Sequence, residues 1–459
     1  MLFNSLSFLY AFLPIVYVVF WRLRTRNQRY AWLTVSSYVF YGFWDYRFCA
    51  LMAASTVVSY AAGRGLLAWS DPRRRKLCLV FAVGFDLALL GFFKYASFAL
   101  STVGDVAAHF GRPLALHPLH IILPVGISFY VFHTITYIVD AYRRTITPTK
   151  NFIEFACYVS LFAQLVAGPI VRFGQIEGDL DRIDQRSRAA NVDEAWSYFA
   201  IGMIKKVLIA DTIASMIGSS QPGLSTAAAW LVAFGYSYQL YFDFSGYSDM
   251  AIGLGLLFGL RLPRNFDSPY RALDIGDFWR RWHISLSTVL RDYLYIPMGG
   301  GRASPWGVRR NVMVTMLLGG LWHGASWTFV VWGGYHGVLL ILHRSVASRW
   351  DRLPALLRRV ATFLLVVVGW VLFRAKDFPT ALGALGPMFM PSRGGELREQ
   401  GSLIAVLLVA AGIAHFAPNT SALSHSWRPV QVAGLALLFA LSLLSVAGGA
   451  PSPFLYFQF

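Results

Sequence analysis

The sequence predicts an all-α protein that crosses the membrane many times. Three observations carry that prediction. Hydrophobic residues make up 56% of the chain and charged ones only 14%, where a soluble domain carries about 25% charged residues. Apolar runs near the ~20 residues that a bilayer crossing needs recur along the whole length. Between them stand short clusters of Lys and Arg, the mark of cytoplasmic loops. The excess of 40 Lys and Arg over 23 Asp and Glu, a net +17, is explained by that rule. It points to a lipid bilayer and to no nucleic-acid partner.

Residues 1–21, "MLFNSLSFLYAFLPIVYVVFW", have no basic start and no small-residue cleavage site. They read as an uncleaved first helix with its start on the periplasmic side. "RLRTRNQR" (22–29) and "DPRRRK" (71–76) are both expected in the cytoplasm, so spans near 30–44 and 48–69 form a hairpin between them. A span near 77–97 leads out and one near 119–141 returns to "RRTITPTK" (143–150). The next apolar stretch ends in Gly168-Pro169, a helix breaker, and reads as re-entrant. Residues 172–194 mix both signs, so charge does not orient them. In total about eleven to thirteen membrane segments are expected by the ~20-residue criterion, in a single membrane-embedded domain over 1–459.

Residues 261–310 interrupt the pattern. Nine arginines and four aspartates alternate there with Trp, Phe and Tyr. That mixture predicts amphipathic helices at the cytoplasmic interface. The following segment, 311–342, lies between "RR" (309–310) and the basic stretch 343–359. With both flanks inside, it must enter the membrane and return. As one straight helix its 32 residues would be ~48 Å long, well beyond a ~30 Å hydrocarbon core. Gly319, Gly320 and Gly324 are candidate break points, which puts His323 near the turn, at depth. An ionisable side chain there is a functional-site hypothesis by default. His336 is 13 positions on, ~220° around and ~20 Å along a continuous helix, so the two would share one metal ion only if the chain folds back; one is expected to be the chemical group and the other structural or secondary. No CxxC or Cys/His ligand spacing involves Cys49, Cys78 or Cys157, so neither zinc nor a disulfide framework is inferred.

Several stretches together carry a resemblance: "LPVGISFYVFHTITYIVDAYR" (123–143), "QLVAGPIVRF" (164–173), "YFDFSGYSDMAIG" (241–253), "NFDSPYRALDIGDFWRRWHISLSTVLRDYLYIPMGG" (265–300) and "LWHGASWTFVVWGGYHG" (321–337). The chain resembles the membrane-bound O-acyltransferases, in particular the branch that holds alginate O-acetyltransferases. The resemblance implies a multi-helix fold around a buried reaction chamber. It implies an acyl thioester donor reached from the cytoplasm, here acetyl-CoA used as a substrate with no permanently bound cofactor, and an acceptor side open to the periplasm. Its near-invariant histidine falls on His323 and its second position on His283. Transfer of acetyl from a thioester to a hydroxyl needs a base and something to stabilise the developing oxyanion. His323 is expected as the base. His283 is expected to polarise the carbonyl or orient the acyl group. Arg280, Arg281 and Arg291 are candidates for the phosphates of coenzyme A. Asp243 and Asp249 are either chamber residues or structural partners of arginines.

Residues 450–459 form an aromatic tail, expected in the periplasm, with Phe454, Tyr456, Phe457 and Phe459. It resembles the F-x-Y-x-x-F ending of acyl-relay members of the family, which makes Tyr456 a candidate acyl carrier. The simpler alternative is an interface anchor. The function so implied is acetylation of a surface polysaccharide from a bacterial inner membrane, with a periplasmic acetyltransferase as the expected partner. D-alanyl transfer, peptidoglycan O-acetylation and, in a different class, a transporter without acyl chemistry remain the alternatives.

Overall fold

The computed structural model describes residues 1–112, 114, 119, 121–166, 168–186, 192–218, 223–395, 400–449, 454 and 455. All named elements among them are helical. The chain packs as two compact units. The first holds Met1–Ala195 and Ala251–Pro263; the second holds Trp196–Met250 and Arg264–Phe459.

In the first unit the expected hairpin is present as α2 (Arg26–Asp45) and α3 (Cys49–Ala68), following α1 (Leu13–Arg22). Thr25 and Gln28 form a capping box that starts α2, and Asp71 with Pro72 starts α4 (Pro72–Leu90), both standard N-terminal devices. The third span runs on through a π-helical turn into α5 (Ala96–His109), further than the sequence suggests. Arg75, expected in a solvated basic loop, is buried. It donates to Leu66 O and, at 2.9 Å, to Tyr142 O. It thereby binds carbonyls in the last turns of α3 and α6 (Ile127–Arg143), where a helix runs out of its own N–H donors. The stretch read as re-entrant is two short helices, α7 (Phe152–Ser160) and α8 (Phe162–Leu165), broken at Leu161; α9 (Phe173–Leu180) follows. Asp86 is fully buried and is held by Ser55 (2.6 Å) and Thr134 (2.7 Å).

The second unit contains α10 from Trp196 onward (Val192–Met203), α11 (Thr212–Ile217), and the 32-residue α12 (Thr226–Leu257) up to Met250. Between α10 and α11 the backbone makes π-helical turns over Ile204–Asp211. The arginine- and aromatic-rich stretch forms the short helices α13 (Ile275–Arg281) and α14 (Ile284–Leu290). Then come α15 (Pro305–His323) and α16 (Trp327–Trp350), the expected entry and return. The break falls at Gly324, and Ser326 caps α16 by accepting from Thr328 N. Arg309 and Arg310 are not loop residues, because Ser304 and Pro305 start α15 before them.

Glycines set the contact between α15 and α16. A Cβ on Gly320 would strike Phe329 O, one on Gly333 would strike Met316 O, and one on Gly337 would meet Met313 Sδ at 2.9 Å. As positions fall along α15 their partners rise along α16, so the two helices are antiparallel with backbones in near contact, a small-residue membrane packing. The unit closes with α17 (Ala355–Arg374), α18 (Phe378–Phe389), α19 (Gln400–Phe416) and α20 (Pro429–Gly448).

Four helical stretches among the described residues are long and apolar enough to cross a bilayer: 26–68, 72–109, 355–374 and 429–448. The others carry buried polar or charged side chains, as α12 does with Asp243 and Asp249, or are cut short, as at Leu161. These features lower their hydropathy below that of a lipid-facing helix. By length and composition the described residues thus mark four crossings, fewer than the eleven to thirteen segments expected from the sequence.

Candidate active site

His283 stands between α13 and α14 with left-handed backbone (φ 43°, ψ 55°). A non-glycine residue is held there only when its surroundings over-determine it. Asn265 does so: its carbonyl accepts from Ile284 N at 2.9 Å, and its Oδ1 accepts from Ser285 N at 3.2 Å and Ser285 Oγ at 2.9 Å. The turn aims the imidazole inward, where it is fully buried.

The same asparagine assigns the tautomer. Because a backbone N–H donates to the Asn265 side-chain atom, that atom is the carbonyl oxygen. His283 Nδ1, 3.0 Å from it, must then be the protonated nitrogen. The lone pair is left on Nε2. A neutral ring in this state accepts a proton or orients a hydroxyl better than it donates to a carbonyl.

His323 is the last residue of α15, where the helix stops at the Gly324 break. It is buried, with its ring centroid 6.3 Å from that of His283. It also forms the foot of a cavity of about 470 Å³, walled by Trp279, Leu290, Met316 and Trp332. Exposed arginines, Arg280, Arg291 and Arg344, line the same cavity. Apolar walls beneath a charged rim suit a long ligand with an anionic end.

The sequence-predicted residues divide accordingly. His283 and His323 come together. Arg280 and Arg291 reach the cavity lining. Arg281 turns away from it, with Nε 3.0 Å from Asp277 and its guanidinium near Asp267. Asp243 and Asp249 are paired, but with Lys206 and Lys205, both at 2.6 Å, and not with arginines. Tyr456 lies outside the described residues; Phe454 and Leu455 beside it are buried. His336 is enclosed by Phe278, Trp279, Trp332 and Trp370. Asn265 and Arg344 were not singled out from sequence. Asn265 opens one of the quoted family stretches, and Arg344 belongs to the basic flank that was used only to orient the helices.

One buried imidazole, His323, lines an arginine-rimmed cavity, and a second, His283, stands beside it, an arrangement suited to acyl transfer in an all-α membrane unit. The comparisons with known proteins give the class. The family model for MBOAT, the membrane-bound O-acyltransferase family, matches residues 140–374. A probable alginate O-acetylase of Pseudomonas putida is 41% identical over the full length of both chains. A peptidoglycan O-acetyltransferase of Helicobacter pylori is 37% identical over 84% of this chain and 80% of its own. A teichoic acid D-alanyltransferase of Bacillus subtilis is 26% identical over 61% of this chain and 75% of its own. The chain belongs to the membrane-bound O-acyltransferase family and is a multi-pass O-acyltransferase.

Proposed function

We propose that the protein moves acetyl from acetyl-CoA on the cytoplasmic side of a bacterial inner membrane to hydroxyls of a surface polysaccharide. The observation that carries the reading is the cavity that runs from Arg280, Arg291 and Arg344 down to His323. The arginines suit the phosphates of coenzyme A, and the apolar wall suits its pantetheine arm. The full-length similarity to probable alginate O-acetylases supports acetyl as the group and polysaccharide as the acceptor.

In the chemistry, a hydroxyl oxygen attacks the thioester carbonyl while His323 takes its proton. The C–O bond forms, the C–S bond breaks, and the proton passes to the departing thiolate. His283, with its lone pair on Nε2, orients the attacking hydroxyl or shares the proton. In the fuller reading Tyr456 is the first acceptor: its phenol is acetylated and passes the group to a periplasmic acetyltransferase or directly to the glycan.

The test is release of free thiol from acetyl-CoA by the purified protein in proteoliposomes, with Tyr456→Phe and His323→Ala compared. Wild type should consume acetyl-CoA, and His323→Ala should not. Equal consumption by both overturns the reading. Full glycan acetylation by Tyr456→Phe removes the relay and leaves direct transfer.

A further inference from the structure

The second unit contains a buried charge cluster that the chemistry above does not use. The π-helical turns of Ile204–Asp211 present two consecutive lysines to α12. Lys205 Nζ lies 2.6 Å from Asp249 and 2.7 Å from Thr420 Oγ1, a pairing complete within itself. Lys206 is different. Its Nζ lies 2.6 Å from Asp243 Oδ1 and 2.7 Å from Asp211 Oδ1, and the Lys206 and Asp243 side chains are 3% and 1% exposed. The other oxygen of Asp243 accepts the backbone N–H of Leu455 at 3.0 Å. A buried carboxylate is thus shared between a lysine and the aromatic segment that follows α20.

Side chains continue the contact. Phe454 is buried, stacked on Tyr247 (centroids 4.8 Å, 29°) and 5.7 Å from Phe244. Phe244 stands edge-on to His283 at 4.7 Å. Asp243, Phe244 and Tyr247 sit on one turn of α12, so a single stretch of helix holds the segment and touches the catalytic imidazole. An interface anchor would put these aromatics at the membrane surface and would need no buried acceptor. A buried ion pair is retained at a desolvation cost that apolar replacement would avoid, which makes a specific role for its spare oxygen the more economical account.

We propose that the Lys206–Asp243 pair is the docking point for the aromatic segment, holding Phe454 and Leu455 one ring away from His283, and that both are positioning residues for acyl transfer. This rests on the acyltransferase reading above and specifies how the segment carrying the candidate acyl acceptor is brought to the histidines.

The test measures docking and chemistry separately. Leu455→Cys keeps the amide and places a thiol at a position that is 7% exposed; the three native cysteines are replaced by Ala. With Asp243 intact, modification of that thiol by a maleimide should be slow, and Asp243→Asn should speed it at least tenfold. In chains with native Leu455, Asp243→Asn should cut acetyl transfer at least tenfold, with the apparent KM for acetyl-CoA unchanged. Leu455→Pro, which removes the donated N–H while also fixing φ and replacing the side chain, should cut transfer at least comparably, and the double variant should be no worse than the worse single one. Swapping the pair (Lys206→Asp with Asp243→Lys) restores an ion pair but offers an ammonium to the Leu455 N–H, so it should not restore transfer. Unchanged maleimide rates in Asp243→Asn overturn the docking. Recovery in the swapped pair, or full transfer by Leu455→Pro, overturns the positioning role. Should Asp243→Asn fail to fold, the Leu455→Pro arm decides alone. If wild type consumes no acetyl-CoA, the acyltransferase reading fails while the maleimide arm still decides docking.

Discussion

His323 and His336 lie on the two arms of one helical hairpin, both buried and both edge-on to the same indole, Trp332, at 5.2 and 5.0 Å. What lies beyond that indole separates them. His323 opens on a cavity with arginines at its rim. His336 is packed among Phe278, Trp279, Tyr335 and Trp370, outside the lining, and neither of its ring nitrogens has a hydrogen-bond partner among the described residues. Burial depth therefore does not distinguish a chemical histidine from a packed one. Access to a ligand-sized cavity does.

The sharpest way to break this comparison is His323→Ala. It should lower acetyl transfer by at least ~10²–10⁴, the usual contribution of an acid–base group, while the protein inserts and melts normally. Measured glycan acetylation near wild type in a well-expressed variant would end the assignment. Next in size is Asn265→Ala. It removes the acceptor that fixes the His283 tautomer and two bonds that hold its turn, so kcat should fall roughly tenfold or more, with wrong tautomers known to cost up to ~10⁴. If kcat is unmoved, Asn265 merely shapes the loop.

A smaller effect is expected at the rim. Replacing Arg280 and Arg344 together with Gln should raise the apparent KM for acetyl-CoA about five- to tenfold, since each exposed charge contributes ~1 kcal/mol or less, and should weaken its dependence on salt. Loss of expression alone would return these residues to the positive-inside pattern. The smallest effect belongs to His336→Phe. The ring is replaced by one of similar shape, and two unpaired polar atoms, each costing ~1–3 kcal/mol when buried, are removed. Transfer should stay within about twofold and the melting midpoint should hold or rise. A dead but folded His336→Phe would mean that the aromatic box takes part in the chemistry.

Composition and the spacing of basic clusters suffice to read the membrane class, the α2–α3 hairpin and the returning segment with His323 at its turn. These follow from local physics: hydropathy over ~20 residues, charge at loop positions and glycine at break points. The interruption of the 152–165 stretch is expected from sequence at Gly168-Pro169, whereas the helix breaks earlier, at Leu161. Motif content also singles out His283 and His323. What only the tertiary structure decides depends on partners distant in sequence. The tautomer of His283 is set by Asn265, 18 positions earlier. Arg280 and Arg281 both reach Asp277, at 3.4 and 3.0 Å, but only Arg281 also lies by Asp267, and only Arg280 lines the cavity. The partners of Asp243 are a lysine 37 residues before it and an amide 212 residues after it. A lysine on a π-helical turn and a backbone N–H leave no periodic signal in a sequence. Their pairing exists only where packing excludes water and makes every buried polar atom find a partner.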